Sequence, residues 1–435
     1  MPSERLGSMT SASPAPRPAA AEGPLPGVRV LDLADAAGSH CGRILADLGA
    51  DVVKVEPPEG DLARRFGPFL GDRPGPERSL SWLSANANKR GITLSLATES
   101  GRDLFRRLVA RADVLIETFP PGHLAGLGLD YDRLAQLNPR LIHTSITPYG
   151  RSGPLAGVPA SDLEVSAAAG SLSLAGEPDR PPVRITLPQS PFWAGMHAAV
   201  GTLLAYLART RTGRGQHVDV SIQAAVTTAL PPAPLFWDLL GENPRRAGPY
   251  LTGRSIVGAR FRNIWPCKDG YVTFALYGGP AGRHTNKMLT QWMASRGMAP
   301  DFMLEYDWDR FDVTQVSPEE VERFEAAIAP FFLTLTKREF FQGVIERNML
   351  GYSVATAEDI YADPQLEARG FWQPLEVPEA DRPLRFPGVF ALFDGVRPPV
   401  RRPAPRIGEH NVEIYCGELG LAPQTLAALR GAGVV

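Results

Sequence analysis

The chain has 435 residues, with 45 Lys and Arg against 47 Asp and Glu, and 44% of its side chains are hydrophobic. Such a near-neutral chain is neither disordered nor a polycation that tracks phosphates, so nucleic acid and membrane surfaces are not expected partners. Its 3 cysteines, Cys41, Cys267 and Cys416, are odd in number and widely spaced, giving no disulfide framework and no zinc spacing, which fits a reducing, cytoplasmic setting without a metal.

Residues 1–26 are Pro, Ala, Ser and Gly with few large apolar side chains, and read as a disordered tail without the apolar run of a signal peptide. From Val28 short β-branched strands alternate with helices, the signature of a parallel sheet covered on both faces. Strands are expected at 28–33, 51–55, 92–96, 114–117 and 141–146, and helices at 41–48, 101–112 and 131–137. The apolar stretch at 194–207 is shorter than the ~20 residues of a membrane span and reads as a buried helix. Pro231, Pro232, Pro234, Pro244 and Pro249 mark 230–258 as a long connection. A strand pair at 261–264 and 270–276 follows, then helices at 286–296, 318–329 and 337–347, a Pro- and Arg-rich stretch at 374–406, and a closing helix at 423–429.

The resulting division is a large Rossmann-like, doubly wound α/β domain over 27–225, a linker over 226–257, a smaller α+β domain over 258–355, a second linker over 356–394, and a return to the large domain over 395–435.

The first βαβ unit ends its second strand at Glu56, where a ribose hydroxyl would sit, but Gly38 and Gly42 do not make GxGxxG, so a nicotinamide cofactor is not indicated. Lys89 and Arg90 precede a strand, where they could meet phosphates or simply be solvated charges. Phe119-Pro-Pro-Gly122 could wall a planar ligand or be an ordinary turn. His197, in an apolar helix, reads as a satisfied core residue, and His40 draws more interest because it falls in the first βα turn. No GxSxG or HExxH occurs, and Cys41 has no evident partner base.

The chain resembles the family III CoA-transferases, the CaiB/BaiF family that includes formyl-CoA transferase, carnitine CoA-transferases and alpha-methylacyl-CoA racemase. The blocks that carry the resemblance include Leu45-Ala-Asp-Leu-Gly-Ala-Asp-Val-Val-Lys-Val-Glu-Pro57, Asn86-Ala-Asn-Lys-Arg90, Ala112-Asp-Val-Leu-Ile-Glu-Thr-Phe119, Gly150-Arg-Ser-Gly-Pro154 and Thr212-Gly-Arg-Gly-Gln-His-Val-Asp-Val220. The resemblance implies coenzyme A thioesters and carboxylic acids as substrates and an interlocked dimer whose chains pass through each other. It implies CoA lying near Asn88, Lys89, Arg90, Leu94, Thr118 and Phe119. A glycine loop of the small domain would close over the site, with Gly278 and Gly279 as its best match.

Departures cluster at the reaction centre. The family's nucleophilic aspartate, four residues before the glycine that opens a Gly-Met-His helix at Gly195, matches Pro191, and a one-residue slip offers only Ser190 or Phe192. The racemase histidine matches Ser161, and a glutamine of the first βα turn matches Ala36 or a neighbour. Two readings follow. The chain binds CoA thioesters as a non-catalytic subunit, in a homodimer or in a heterodimer with a catalytic paralogue as in benzylsuccinate CoA-transferases. Alternatively it is an active acyl-CoA:carboxylate CoA-transferase using another acid, with Asp162, Glu164 or Asp179 as candidates; Asp162 also fits a helix cap. Tyr277, Trp193, Phe192 and Phe236 hint at an apolar or aromatic acyl group.

Overall fold

The computed structural model describes residues 23–230 and 232–435. Two compact units divide the chain: one runs through to Ala169 and resumes over Ile185–Ala229 and Gln365–Val435, and the other comprises Gly170–Arg184 and Leu230–Pro364.

The first unit is built on six parallel strands, β1 (Arg29–Asp32), β2 (Asp51–Glu56), β3 (Arg90–Thr93), β4 (Val114–Glu117), β5 (Ile142–Thr147) and β6 (His217–Ser221), in the order β3-β2-β1-β4-β5-β6. Its helices include α1 (Ser39–Asp47), α2 (Leu80–Asn86), α3 (Glu99–Val109), α4 (His123–Gly126), α5 (Tyr131–Leu137), α6 (Asp162–Ala168), α7 (Ser190–Thr212) and α8 (Ile222–Thr227), and a closing helix Pro423–Gly431. Alternate strand residues bury in opposite directions: Leu31, Val53 and Leu115 pack with Leu104 and Phe105 of α3, while Val30, Val52 and Val114 pack with Leu45 of α1 and Ala198 of α7. Burial on both faces explains the near-continuous apolar strands. The strand order reverses between β1 and β4, and in such sheets the carboxyl ends of the strands flanking the reversal are the usual ligand position.

The β3 edge is covered by the returning C-terminal segment. His410 donates its backbone N–H to the Gly91 carbonyl at 2.9 Å, Gly91 donates to His410 Nδ1 at 3.1 Å, Thr93 donates to Asn411 Oδ1 at 2.9 Å, and the Tyr415 hydroxyl donates to the Thr93 carbonyl at 2.8 Å.

The second unit has an antiparallel sheet of Ile264–Cys267, Gly270–Thr273 and Tyr352–Ser353, with helices Gly279–Ser295, Pro318–Phe332 and Lys337–Glu346 around a core rich in aromatic rings, among them Trp265, Phe274, Trp292 and Phe332. The last two helices start at capping boxes, Ser317 with Glu320 and Thr336 with Glu339, the N-terminal chemistry their sequence carries.

Three expectations need correction. Most of the expected tail lies outside the described residues, but Leu25 already donates to the Leu48 carbonyl at 2.9 Å and packs on the core. The 226–257 connection contains a helix, Pro232–Leu240, because Pro232 and Pro234 occupy its first turn, where backbone N–H groups have no helical partner. The 356–394 linker holds helices Ala357–Tyr361 and Pro364–Ala368 and a hairpin of Trp372–Leu375 with Leu384–Pro387.

Candidate active site

The turn after β1 is held from beneath by buried charges. Asp32 is fully buried; its Oδ1 accepts from the Ala34 N–H at 3.0 Å and its Oδ2 from Lys89 Nζ at 2.7 Å. Lys89 Nζ also donates to the Ser39 carbonyl and to Asn86 Oδ1, both at 2.8 Å, so all three ammonium protons have acceptors. Lys54 reaches the Ala34 carbonyl and lies 3.2 Å from Asp61. Burial works against the Lys54 ammonium, yet Asp61, Asp32 and Glu56 together raise its pKa; at Lys89 burial prevails over Asp32 and draws the pKa down. A Cβ on Gly42 would run into Asp32 Oδ2, so glycine is what lets α1 settle on this pair.

Across the reversal, the Asp35 N–H donates to Thr118 Oγ1 at 2.9 Å, tying the β1 turn to the loop after β4. That loop is fixed by Glu117, fully buried, whose Oε2 accepts from the Phe119 N–H at 2.6 Å and whose Oε1 lies 3.4 Å from Arg151 Nη1. Burial pushes the Glu117 carboxyl up, and His143 and Ser145 more than offset it, leaving its pKa below the usual carboxylate range. The Phe119 and His123 rings stack at 4.6 Å.

The third wall is the start of α7. The helix does not open at Gly195 but at Ser190, which puts Pro191 in its first turn, a position where proline is well tolerated. No side chain of its own caps this end; Asp162 does so from α6, its Oδ1 accepting from the Gln189 N–H at 3.0 Å and the Ser190 N–H at 2.9 Å. The start of α6 is separately closed by a capping box of Ser161 and Glu164. At Gly195 a Cβ would come within 2.7 Å of His40 Cβ and 3.0 Å of the Cys41 nitrogen, so the absent side chain permits close packing of α1 on α7. The His40 and Phe192 rings meet edge to face at 5.0 Å. Burial, then Lys89 and Arg43, lower the His40 pKa to about 4. Burial pushes the Cys41 thiol well up, so it is no thiolate nucleophile.

Of the residues expected to meet CoA, four are engaged inside the protein. Asn88 donates to Asp47 Oδ1 at 2.7 Å and accepts from the Arg401 N–H at 2.6 Å; Lys89 is held as above. Arg90 pairs with Asp51, Glu413 and Glu418, and Leu94 is in the core. Lys89 and Arg90 are therefore not solvated charges. Thr118 and Phe119 directly follow β4, at the carboxyl end of the sheet. Gly278 and Gly279 lie in the second unit, at the start of helix Gly279–Ser295, where Gly279 has φ 69° and the Tyr277 carbonyl is fixed by Asn286 Nδ2 at 3.0 Å. His197 is satisfied, by the Trp193 carbonyl at 2.8 Å and Thr228 Oγ1 at 3.0 Å. Asp179 is exposed in the second unit. Sequence reasoning missed Asp32 as the Lys89 partner and the meeting of His40 with Phe192; no local signal marks contacts between residues so far apart in the chain.

A doubly wound sheet that reverses between β1 and β4, with a long helix starting beside the first βα turn, defines a class of α/β scaffold without naming its chemistry. The match to the CoA-transferase family III model over residues 25–411 does: the chain belongs to this family. It is 37% identical to the succinyl-CoA:(R)-benzylsuccinate CoA-transferase subunit BbsE of Thauera aromatica, over 89% of this chain and 93% of that one. It is 32% identical to the succinate–glutarate CoA-transferase of Agrobacterium fabrum, over 90% and 94%. A CAIB/BAIF family protein from Brucella suis has a similar structure, with TM-score 0.77 and 30% identity over 91% of this chain and 99% of that one.

Proposed function

We propose that this chain is the CoA-thioester-binding, non-nucleophilic member of a CoA-transferase that moves CoA between carboxylic acids, and that a paralogous chain supplies the aspartate. The observation that carries this reading is the start of α7: Pro191 stands in its first turn, and the neighbouring carboxylate of Asp162 is occupied in capping that turn through two backbone N–H groups. Proline offers no nucleophile, and a carboxylate accepting two such hydrogen bonds is stabilised as a cap rather than freed to attack a thioester. Glu164 is likewise held, by Ser161. These contacts occupy two of the three candidate acids, and the third, Asp179, lies in the second unit rather than beside the start of α7. That a 37% identical relative is named as a subunit favours the two-chain reading.

CoA would enter at the β1/β4 reversal past Thr118 and Phe119, and the partnership is expected as a heterodimer, with a homodimer as the state of the isolated chain. The test has two arms: calorimetric titration of the purified full chain with CoA, and a transfer assay from succinyl-CoA to a panel of acids, with and without an aspartate-bearing paralogue. Binding by the chain alone, with transfer only in the mixture, is the expected result. Transfer by the chain alone, abolished in Asp162→Asn, would overturn it in favour of a self-sufficient enzyme.

A further inference from the structure

We infer that the acyl group received at the start of α7 is an arene, an aryl or arylalkyl carboxylic acid carried as its CoA thioester and seated against the rings of Phe192 and His40. This rests on the CoA-binding reading above and deepens it by naming the substrate class. Phe192, in the first turn of α7, is 47% exposed, and its ring is already met edge to face by His40. That geometry leaves ring surface available to a third aromatic group, in the offset or edge-to-face arrangements that aromatic rings prefer. Gly195 lets α1 and α7 pack closely next to the ring pair, since a Cβ there would meet His40 Cβ and the Cys41 nitrogen.

Charge points the same way. The cations that act most on His40 are committed elsewhere, Lys89 to Asp32 and Arg43 to Asp47, so neither is free for a second carboxylate on the acyl group. Their field, together with burial, keeps the imidazole neutral. A base that weak is poorly matched to proton transfer near neutral pH, and the ring acts as an uncharged wall, not as a catalytic group. After β4, Phe119 stacks flat on His123 and adds a second aromatic surface at this end of the sheet.

The experiment is calorimetric titration of the full chain with CoA, butyryl-CoA, succinyl-CoA and phenylacetyl-CoA, repeated with Phe192→Leu and Phe192→Tyr. Phenylacetyl-CoA is expected to bind about 3- to 10-fold tighter than either aliphatic thioester, the range that one aromatic pairing supplies. In Phe192→Leu, which keeps apolar bulk without the ring, that ratio is expected to fall to about one, and Phe192→Tyr is expected to keep it. Equal affinities in the unmodified chain, or a ratio that survives Phe192→Leu, would overturn the inference while leaving CoA binding intact. Failure of all four ligands, CoA included, would overturn the CoA-binding reading and this inference with it.

Discussion

Two regions of the candidate site are fixed in opposite ways. The turn after β1 is over-determined: Asp32, Lys89 and Lys54 hold it through the Ala34 N–H and the Ala34 and Ser39 carbonyls, all inside the protein. The backbone at the start of α7 is capped by the borrowed carboxylate of Asp162, and beside it stands a half-open pair of rings. The difference teaches which wall is scaffold and which is adaptable. A turn set by a buried ion pair tolerates little change, since removal of one partner strands the other charge in a low dielectric. A helix start held by one cap can drift in sequence, and here proline stands at the position the family resemblance matches to its nucleophile.

The comparison is tested most severely at Lys89. Lys89→Met is expected to lower stability by about 3–5 kcal/mol, read from urea denaturation, because Asp32 remains buried without its cation. The double variant Asp32→Asn with Lys89→Met is expected to recover part of that loss. If the single variant is neutral, the β1 turn is not held by this pair. Next in size is a pH effect at His40. Its folded pKa of about 4 lies below the ~6.5 of an unfolded histidine, so the unfolded chain takes up the proton first. Stability from this group is therefore intact above about pH 6.5 and falls as pH drops toward 4, by about 3 kcal/mol in all. His40→Gln is expected to flatten that part of the stability curve, and an unchanged curve would show that the imidazole is not held neutral.

Asp162→Ala removes the cap of α7 and is expected to cost about 0.5–2 kcal/mol, visible as faster amide exchange at the first turn of that helix. Exchange no faster than in the unmodified chain would remove Asp162 as the anchor. The smallest effect is expected at Thr118→Val, which deletes the acceptor for the Asp35 N–H and is expected to cost about 0.5–1.5 kcal/mol while loosening the two loops relative to each other. A crystal structure of this variant with the Asp35 turn unmoved would show that the bridge is incidental.

The sheet was legible because strands buried on both faces announce themselves as apolar runs, and β2, β4 and β5 fall within a residue or two of the expected positions. β3 lies earlier than its apolar pattern suggested, starting at Arg90, since a cation paired with Asp51, Glu413 and Glu418 can take a strand position its charge argues against. The same reason hid the true place of Lys89: lysine is almost never fully buried unless paired, and its partner Asp32 sits 57 residues away. Prolines misled at 232 and 234 because a proline stops a helix but also starts one. At the site, Asp162 was readable as a cap, though not as the cap of α7, because the hydrogen bonds span 27 and 28 residues. The meeting of His40 with Phe192 depends on the packing of α1 against α7 and leaves no mark in either local sequence.

The return of the C-terminal segment to β3 has a consequence for how the chain is made. The bonds from His410 and Asn411 to Gly91 and Thr93 join residues more than 300 positions apart. At the usual pace of about 5–20 residues per second, the ribosome takes on the order of tens of seconds to reach them after β3 has emerged. Throughout that interval the nascent sheet carries an open edge with unpaired backbone groups, the kind of template onto which another strand can add. A nascent chain stalled before residue 410 is therefore the form most exposed to wrong pairing, and the segment from His410 to Tyr415 acts as a clasp on the β3 edge.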